Sequence, residues 1–460
     1  MKVLFFTPPS RESFVRLGRC GGRSKGGEKW PPVKLMFGAG ALREVAKVKI
    51  IDADANLGMG DFLRRVERFG PDLLVLEPTP ASLRLEMETV REIKKLLPDS
   101  KALCIGGFAT PLARELLEKF EEIDYVVAGE IEKTLKEFVE TNRNVKGLWY
   151  REGRRIKFSG ERGFVKNLDE LPFPTHEMID KWLYNSPIVR RRPFTITESS
   201  RGCPYKCIFC NAYFLDGKVP RFRSTKKLIE EMRFISDLGF REVKFNDETF
   251  TLNRKRVMNF ANEMIREGID LTWKCNTRAD FLDLELLRRM KKSGCHAMFI
   301  GVESAEPRIL KYYKKEISLR KVEETVRNAK KVGIKVILHF IFGAPDENWE
   351  SIKRSINFAL KVEPDYVGFN ILTPYPGTEV YEKLKGRYFD TKDWGVFDQS
   401  HTTALKTKHL SPEDLEEAVR IANRTFYVRP KYIVKRIISI RSRNEFCNFL
   451  RAGYGLLRKG

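Results

Sequence analysis

Eleven short apolar runs, each closed by turn residues and separated from the next by an amphipathic helical pattern, set the fold class of this chain. Five lie in the first 150 residues: KVLFF (2–6), VKIIDAD (48–54), DLLVLEP (72–78), ALCIGG (102–107) and DYVVAGE (124–130). Helical stretches such as METVREIKKLL and ARELLEKFEE divide them. Strand–helix alternation of this kind predicts a doubly wound α/β domain, a parallel sheet covered on both faces. Ligands of such sheets bind beyond the carboxyl ends of the strands, so the loops TPPS, EPTPAS, IGGFAT and AGE should form one rim. Six further strand–helix units follow from FTITES (194–199) to DYVGFNIL (365–372), too few for a closed eight-fold barrel. The expected division is a Rossmann-like domain over 1–150, a connector over 151–190, a barrel core over 191–385 and a basic helical region over 386–460.

Residues 201–210, RGCPYKCIFC, hold three of the eight cysteines. The opening MKVLFFTPP has neither the charge pattern nor the cleavage site of a signal peptide, so disulfides are not expected. Zinc takes four ligands in two separated pairs, and no partner pair exists elsewhere. Three thiolates in one loop suit a 4Fe-4S cube with one iron left open. Cys203, Cys207 and Cys210 are therefore the metal ligands and the centre of the chemistry. The other reading is three cysteines falling together in a core turn. Cys275 and Cys295, in strand contexts, read as buried apolar residues. Cys20 reads as incidental.

The spacing CxxxCxxC, with Phe209 before the last cysteine, resembles the radical S-adenosylmethionine (SAM) superfamily. That resemblance implies a partial (β/α)6 TIM-like barrel. It also implies a 4Fe-4S cluster whose open iron binds SAM and cleaves it to methionine and a 5′-deoxyadenosyl radical. Carried onto this chain, the SAM contacts are Phe209, the FNDETF residues Asn246, Asp247 and Glu248, then Arg278, Gly301 and Glu303. The DET sequence also reads as a helix cap. HFIFGAPDE resembles the family's FIxGxPGET, with Ala344 keeping the turn and Asp346 replacing glycine. His339 reads as a core histidine. Tyr375, in TPYPGTE, reads as a catalytic hydrogen donor facing substrate, or equally as turn packing.

The first domain, placed before such a core, resembles the B12-binding domain of cobalamin-dependent relatives. Thr7, Pro8, Thr79, Gly106 and Gly107 are then the cobalamin contacts. The first histidine is His176, so any cobalt site here lacks an imidazole ligand. The alternative is a Rossmann-like domain that only buttresses the barrel. The Gly-rich basic segment 17–32 reads as a surface loop, or as a cover over the cofactor anchored by Trp30.

The formal charge is +23, which admits RNA, anionic lipid or phosphorylated molecules as partners. No apolar stretch reaches membrane-spanning length. Residues 426–460 carry nine Lys/Arg and one Glu among Phe, Tyr, Ile and Leu. Such a segment can lie on an anionic membrane, grip RNA or cap the barrel. RNA methylthiolation is disfavoured, because those relatives need a second three-cysteine cluster and residues 1–150 offer only Cys20 and Cys104. FYVRP, PTPAS and TPYPGTE resemble a lipid-related, hopanoid-associated branch. The expectation is a cytoplasmic radical SAM enzyme, with room for membrane contact, served by an external low-potential electron donor. It would use cobalamin to methylate an unactivated carbon of a lipid-like or other small molecule. The alternatives are ring formation or rearrangement without methyl transfer, and a basic binding protein with a structural cluster.

Overall fold

The computed structural model describes residues 1–17, 21–24, 28–54, 56–390, 393–398 and 405–439, with Ser439 as backbone alone. Cys20 and the 440–460 part of the basic tail lie outside the described residues.

The first sheet is built from β1 (Lys2–Ser10), β4 (Lys47–Asp54), β5 (Leu73–Leu76), β6 (Lys101–Cys104), β7 (Tyr125–Val127), β8 (Leu148–Glu152) and β9 (Arg155–Phe158). Its order is β4-β1-β5-β6-β7-β8-β9. The first five strands pair in parallel and match the five expected runs. Val3 to Phe6 and Leu73 to Leu76 are wholly buried, as strands covered on both faces must be. The β8–β9 hairpin then adds two antiparallel strands and carries the sheet to Phe158. A small antiparallel pair, β2 (Phe14–Arg16) and β3 (Gly21–Arg23), stands off the carboxyl end of β1.

Between the two halves of the molecule runs the helix Val33–Leu42, VKLMFGAGAL, with all ten residues buried. A helix apolar on every side belongs inside a protein. Met36 and Ala39 join the core under the first sheet, while Val33 and Phe37 pack on Ile196 of the second.

The second sheet runs β10 (Phe194–Thr197), β13 (Glu242–Phe245), β14 (Thr272–Thr277), β15 (Cys295–Glu303), β16 (Lys335–Phe342) and β17 (Tyr366–Ile371), all parallel and in sequence order. This is the expected six-stranded partial barrel. The short pair β11 (Ser200–Arg201) and β12 (Arg221–Phe222) flanks the first loop. Helices on the outer face start at side-chain caps from Ser224, Asn253, Asp283, Ser318 and Asn348, each contributing about 1 kcal/mol. Along β16, Val336, Leu338, Phe340 and Phe342 bury toward these helices. Ile337, His339 and Ile341 alternate onto the lumen face.

An open barrel leaves an edge strand whose backbone must be satisfied. Tyr427, ending the helix Pro412–Tyr427, meets that need: its hydroxyl accepts from Val367 N–H (2.9 Å) and donates to the Val367 carbonyl (2.6 Å). Tyr432, in the helix Pro430–Ser439, donates to the Asp365 carbonyl at 3.0 Å.

Candidate active site

The cysteine loop lies beyond the carboxyl end of β10, at the barrel face where chemistry sits in such folds. Gly202 turns it with a φ of 91°, and a side chain there would overlap the Val219 carbonyl. The backbone braces the loop on several sides. Cys203 N–H donates to Gly217 (3.1 Å), Ile208 N–H to Tyr313 (3.2 Å) and Cys210 N–H to Cys207 (3.2 Å). Phe209 meets the Tyr313 ring edge-on at 5.3 Å. Cys203, Cys207 and Cys210 are part-exposed, whereas Cys104, Cys275 and Cys295 are buried. Among the described residues no three such side chains converge on one point as ligands of a single ion would. Thiolates that each hold a different iron of a cube stand further apart.

Glu303 ends β15 in the left-handed region, φ 70°, an arrangement that costs about 1–3 kcal/mol in a non-glycine residue. Its carboxylate accepts from Lys315 Nζ at 2.7 Å, with both side chains buried. A Cβ on Gly301 would overlap that carboxylate and stand 3.0 Å from Lys315 Nζ. Lys315 also faces the cysteine loop: burial pushes the Cys207 thiol up, and the Lys315 charge pulls it back. Arg278 stacks 3.6 Å over the Tyr205 ring and donates to Asp280 (2.8 Å) and to the Glu316 carbonyl. It therefore pins the cysteine loop to the loop after β14.

The FNDETF residues divide. Glu248 is part-exposed at the mouth. Asn246 is buried, taking Lys244 Nζ at 3.2 Å and donating to the Leu17 carbonyl at 3.2 Å. Asp247 departs from the expected ligand-facing role. It is wholly buried, and its carboxylate takes Ser199 N–H (2.7 Å), Ser199 Oγ (2.6 Å) and Ser200 Oγ (2.5 Å). A buried carboxylate needs such donors, and here they tie the segment after β10 to the loop after β13.

On the first domain the expected rim residues also separate. Thr7 is turned inward: its hydroxyl donates to Asp52 (2.6 Å) and accepts from Ala53 and Asp54 N–H. Pro8 is buried beside it in β1. Gly106 takes a φ of 97° against Glu77. Thr79 and Gly107 line a cavity of about 20 Å³ with Glu77, Phe108, Asn211 and Tyr375, room for about one water. The β2–β3 segment closes this space. Arg16 pairs with Asp54 and Glu86 (3.2 Å each), and a Cβ on Gly21 would stand 2.7 Å from the Thr79 side chain. Burial raises the Asp54 carboxyl to about 6 and the Glu86 carboxyl to about 7. Tyr375 differs from the expected substrate-facing acid. Its hydroxyl donates to the Gly21 carbonyl at 2.9 Å, so it holds the Gly-rich segment.

Comparison with known proteins fits this geometry. The radical SAM superfamily pattern matches residues 197–359, and the B12-binding domain pattern matches 21–139. An uncharacterized methyltransferase of Pyrococcus horikoshii is 33% identical over 473 residues, covering 100% of this chain and 98% of the relative. The chain belongs to the radical SAM superfamily. A hopanoid C-3 methylase of Methylococcus capsulatus is 29% identical, covering 85% of this chain and 75% of the relative. In fold, this radical SAM chain matches the methyltransferase TsrM of Kitasatospora setae, solved with cobalamin and a 4Fe-4S cluster. The TM-score is 0.71 at 16% identity, covering 94% and 89% of the two chains.

The two matches together make this a cobalamin-dependent radical SAM enzyme, with a B12-binding domain ahead of the radical SAM barrel. The three part-exposed thiols fit a cluster, and the Glu303 carboxylate that Gly301 leaves room for fits the polar groups of SAM. The rim fits cobalamin in its donor set, with no histidine before His176, but its volume is taken by β2–β3.

Sequence reasoning missed the ion pairs that join the two domains of this radical SAM enzyme. Arg201, next to the cysteine loop, pairs with Glu132 (2.5 Å) and Glu130 (3.3 Å) of the first domain. Lys34 reaches Glu198 (3.0 Å) and Asp216 (3.7 Å), and Arg221 reaches Glu130 (2.8 Å). Despite its burial Glu132 is lowered to about 2, chiefly by Arg201. These pairs fix the cysteine loop against the rim. Arg201 was readable as the residue before the motif glycine; Lys315 carried no signal among 85 Lys/Arg.

His339 departs from the expected core role. It is half-buried on the lumen face, its ring lies near-parallel to Phe299 at 6.1 Å, and Gly368 leaves room for it. Trp30 takes the anchoring place, its ring under Lys244 (4.9 Å) and Lys274 (5.3 Å) and edge-on to Phe194.

Proposed function

We propose that this enzyme transfers a methyl group from SAM, by way of cobalamin, to an unactivated carbon of a lipid-like small molecule. Cluster, SAM and cobalamin supply the electron, the radical and the methyl carrier when bound. The chain's part is to place them in register and exclude water. Cys203, Cys207 and Cys210 would hold the cluster; Glu303, Glu248 and Arg278 would border SAM, with Asn246, Gly301 and Phe209 shaping its seat. Thr79, Gly106 and Gly107 would border cobalamin, with Thr7 and Pro8 supporting the rim from beneath.

One observation carries the reading: buried ion pairs fasten the cysteine loop of the barrel directly to the B12-binding rim. Register between the two cofactor sites is what methyl delivery to a substrate radical needs. The likeness to hopanoid C-3 methylase over 85% of the chain supports a lipid-like substrate. Phe299, Ile337 and Ile341 on the lumen face agree with it. A lipid-like substrate is met at a membrane surface, so contact through 426–460 and an external low-potential electron donor belong to the same proposal. So does the division into domains over 1–150, 151–190, 191–385 and 386–460, with the first boundary moved from 150, inside β8, to the end of β9 at Phe158.

The test incubates anaerobically reconstituted enzyme with trideuteromethyl-SAM, reductant and a lipid extract beside a water-soluble extract. A lipid gaining one trideuteromethyl group is the expected result. Label confined to water-soluble molecules would remove the lipid assignment. 5′-Deoxyadenosine without methyl transfer would favour ring formation or rearrangement.

A further inference from the structure

Twelve large apolar side chains are strongly exposed among the described residues, and five fall within residues 421–438: Ile421, Val428, Val434, Ile437 and Ile438. The last three share one face of the helix Pro430–Ser439, at spacings of three and four residues, and are 55%, 53% and 68% exposed. The opposite face is used. Tyr432 bonds the Asp365 carbonyl, Arg436 stacks 4.4 Å over Tyr366 and Ile433 is half-buried. The outward stripe is therefore not a frayed core helix but the free side of a firmly docked one. Lys435 is exposed along the flank of that stripe, and Lys431, exposed beside it, pairs with Glu363 at 2.9 Å.

Charge selects the occupant. Residues 421–439 hold Arg424, Arg429, Lys431, Lys435 and Arg436 and no carboxylate. The chain beyond adds Arg441, Arg443, Arg451, Arg458 and Lys459 against Glu445 alone. No helix of the described residues is long and apolar enough to cross a membrane. An apolar stripe flanked by lysines, on a helix fixed from behind, has the make-up of one that lies in a lipid–water interface. Basic residues strengthen such binding where the lipid is anionic.

We infer that the outer face of the helix Pro430–Ser439, with Val434, Ile437 and Ile438 inserted and Lys435 on headgroups, docks this enzyme on an anionic lipid surface. The purpose of docking rests on the lipid-like substrate proposed above; the binding itself does not.

The full chain is tested by co-sedimentation with phosphatidylcholine vesicles, with and without phosphatidylglycerol, at low and high salt. Wild type should sediment with the anionic vesicles alone, and high salt should weaken it. The triple variant Val434→Ser, Ile437→Ser and Ile438→Ser should bind about tenfold more weakly or worse. So should Lys435→Glu. Both should keep the wild-type circular dichroism, since the altered side chains face solvent. Undiminished binding of the triple variant, or no wild-type binding to anionic vesicles, overturns the inference. A wild-type dimer that the triple variant converts to monomer, without vesicle binding, assigns the face to a second copy and also overturns it. Vesicle binding without lipid methylation, or the reverse, separates this inference from the substrate reading.

Discussion

Lys315 Nζ lies 2.7 Å from the Glu303 carboxylate, and the same ammonium lowers the cost of a thiolate at Cys207. One buried cation thus serves two expected cofactor contacts. Lys315→Met should weaken SAM binding about 10- to 100-fold, the range for a lost charged hydrogen bond. It should also destabilise the fold by about 3 kcal/mol, because Glu303 keeps a buried charge alone. Adding Glu303→Gln should recover stability without recovering SAM affinity. Calorimetric SAM titration beside urea unfolding checks both; a double variant that binds SAM normally would contradict the assignment.

Gly301 keeps the space in which that pair sits. Gly301→Ala should therefore impair SAM binding far more than unfolding midpoint, since the added methyl meets a carboxylate and not the core. Equal effects on both would point to a merely structural glycine.

The Arg201–Glu132 pair makes a pH prediction with a definite sign. Glu132 is lowered to about 2 from the usual 4.5. Its contribution is present above the unfolded value and lost as pH falls from about 4.5 through 2. Arg201→Met should cost about 3–5 kcal/mol at pH 7, and the gap from wild type should narrow at pH 3. Unfolding at the two pH values measures it.

Glu347 has the opposite sign. It is wholly buried, accepts from Gly343 (2.6 Å) and Ala344 (3.1 Å) N–H, and burial raises it to about 7. The folded state then holds a proton that the unfolded state releases above about 4.5, so this group removes stability as pH rises from 4.5 to 7. Glu347→Gln keeps an acceptor for both N–H groups. It should flatten the wild-type decline between pH 5 and 8 by about 1–3 kcal/mol. An unchanged slope would show that Glu347 is not the group responsible.

On the proposed assignment, cobalamin bordering Thr79 and Gly107 would need the cavity that Arg16, Leu17 and Gly21 line. Loading with hydroxocobalamin should raise hydrogen exchange at Phe14–Arg16 and Gly21–Arg23. Exchange unchanged at full loading would place the cofactor elsewhere.

The strands were readable because a parallel strand buried on both faces must be apolar throughout, as 73–76 and 102–104 are. The cysteine loop was readable because its spacing serves little besides a cluster. Asp247, Tyr375 and His339 were readable as residues but not as directions. A motif gives the carboxylate, whereas the partners Ser199 and Ser200 that turn it inward come from the segment after β10, 48 and 47 residues away. The helix Val33–Leu42 escaped notice because it has no polar face, so no amphipathic period marks it.

The most direct test of the account is 5′-deoxyadenosine formation by anaerobically reconstituted enzyme supplied with SAM, cobalamin and reductant. The account predicts its formation by wild type and its loss in Cys203→Ala, Cys207→Ala and Cys210→Ala. A wild-type cluster that never cleaves SAM, or turnover that survives loss of any of the three cysteines, would contradict it.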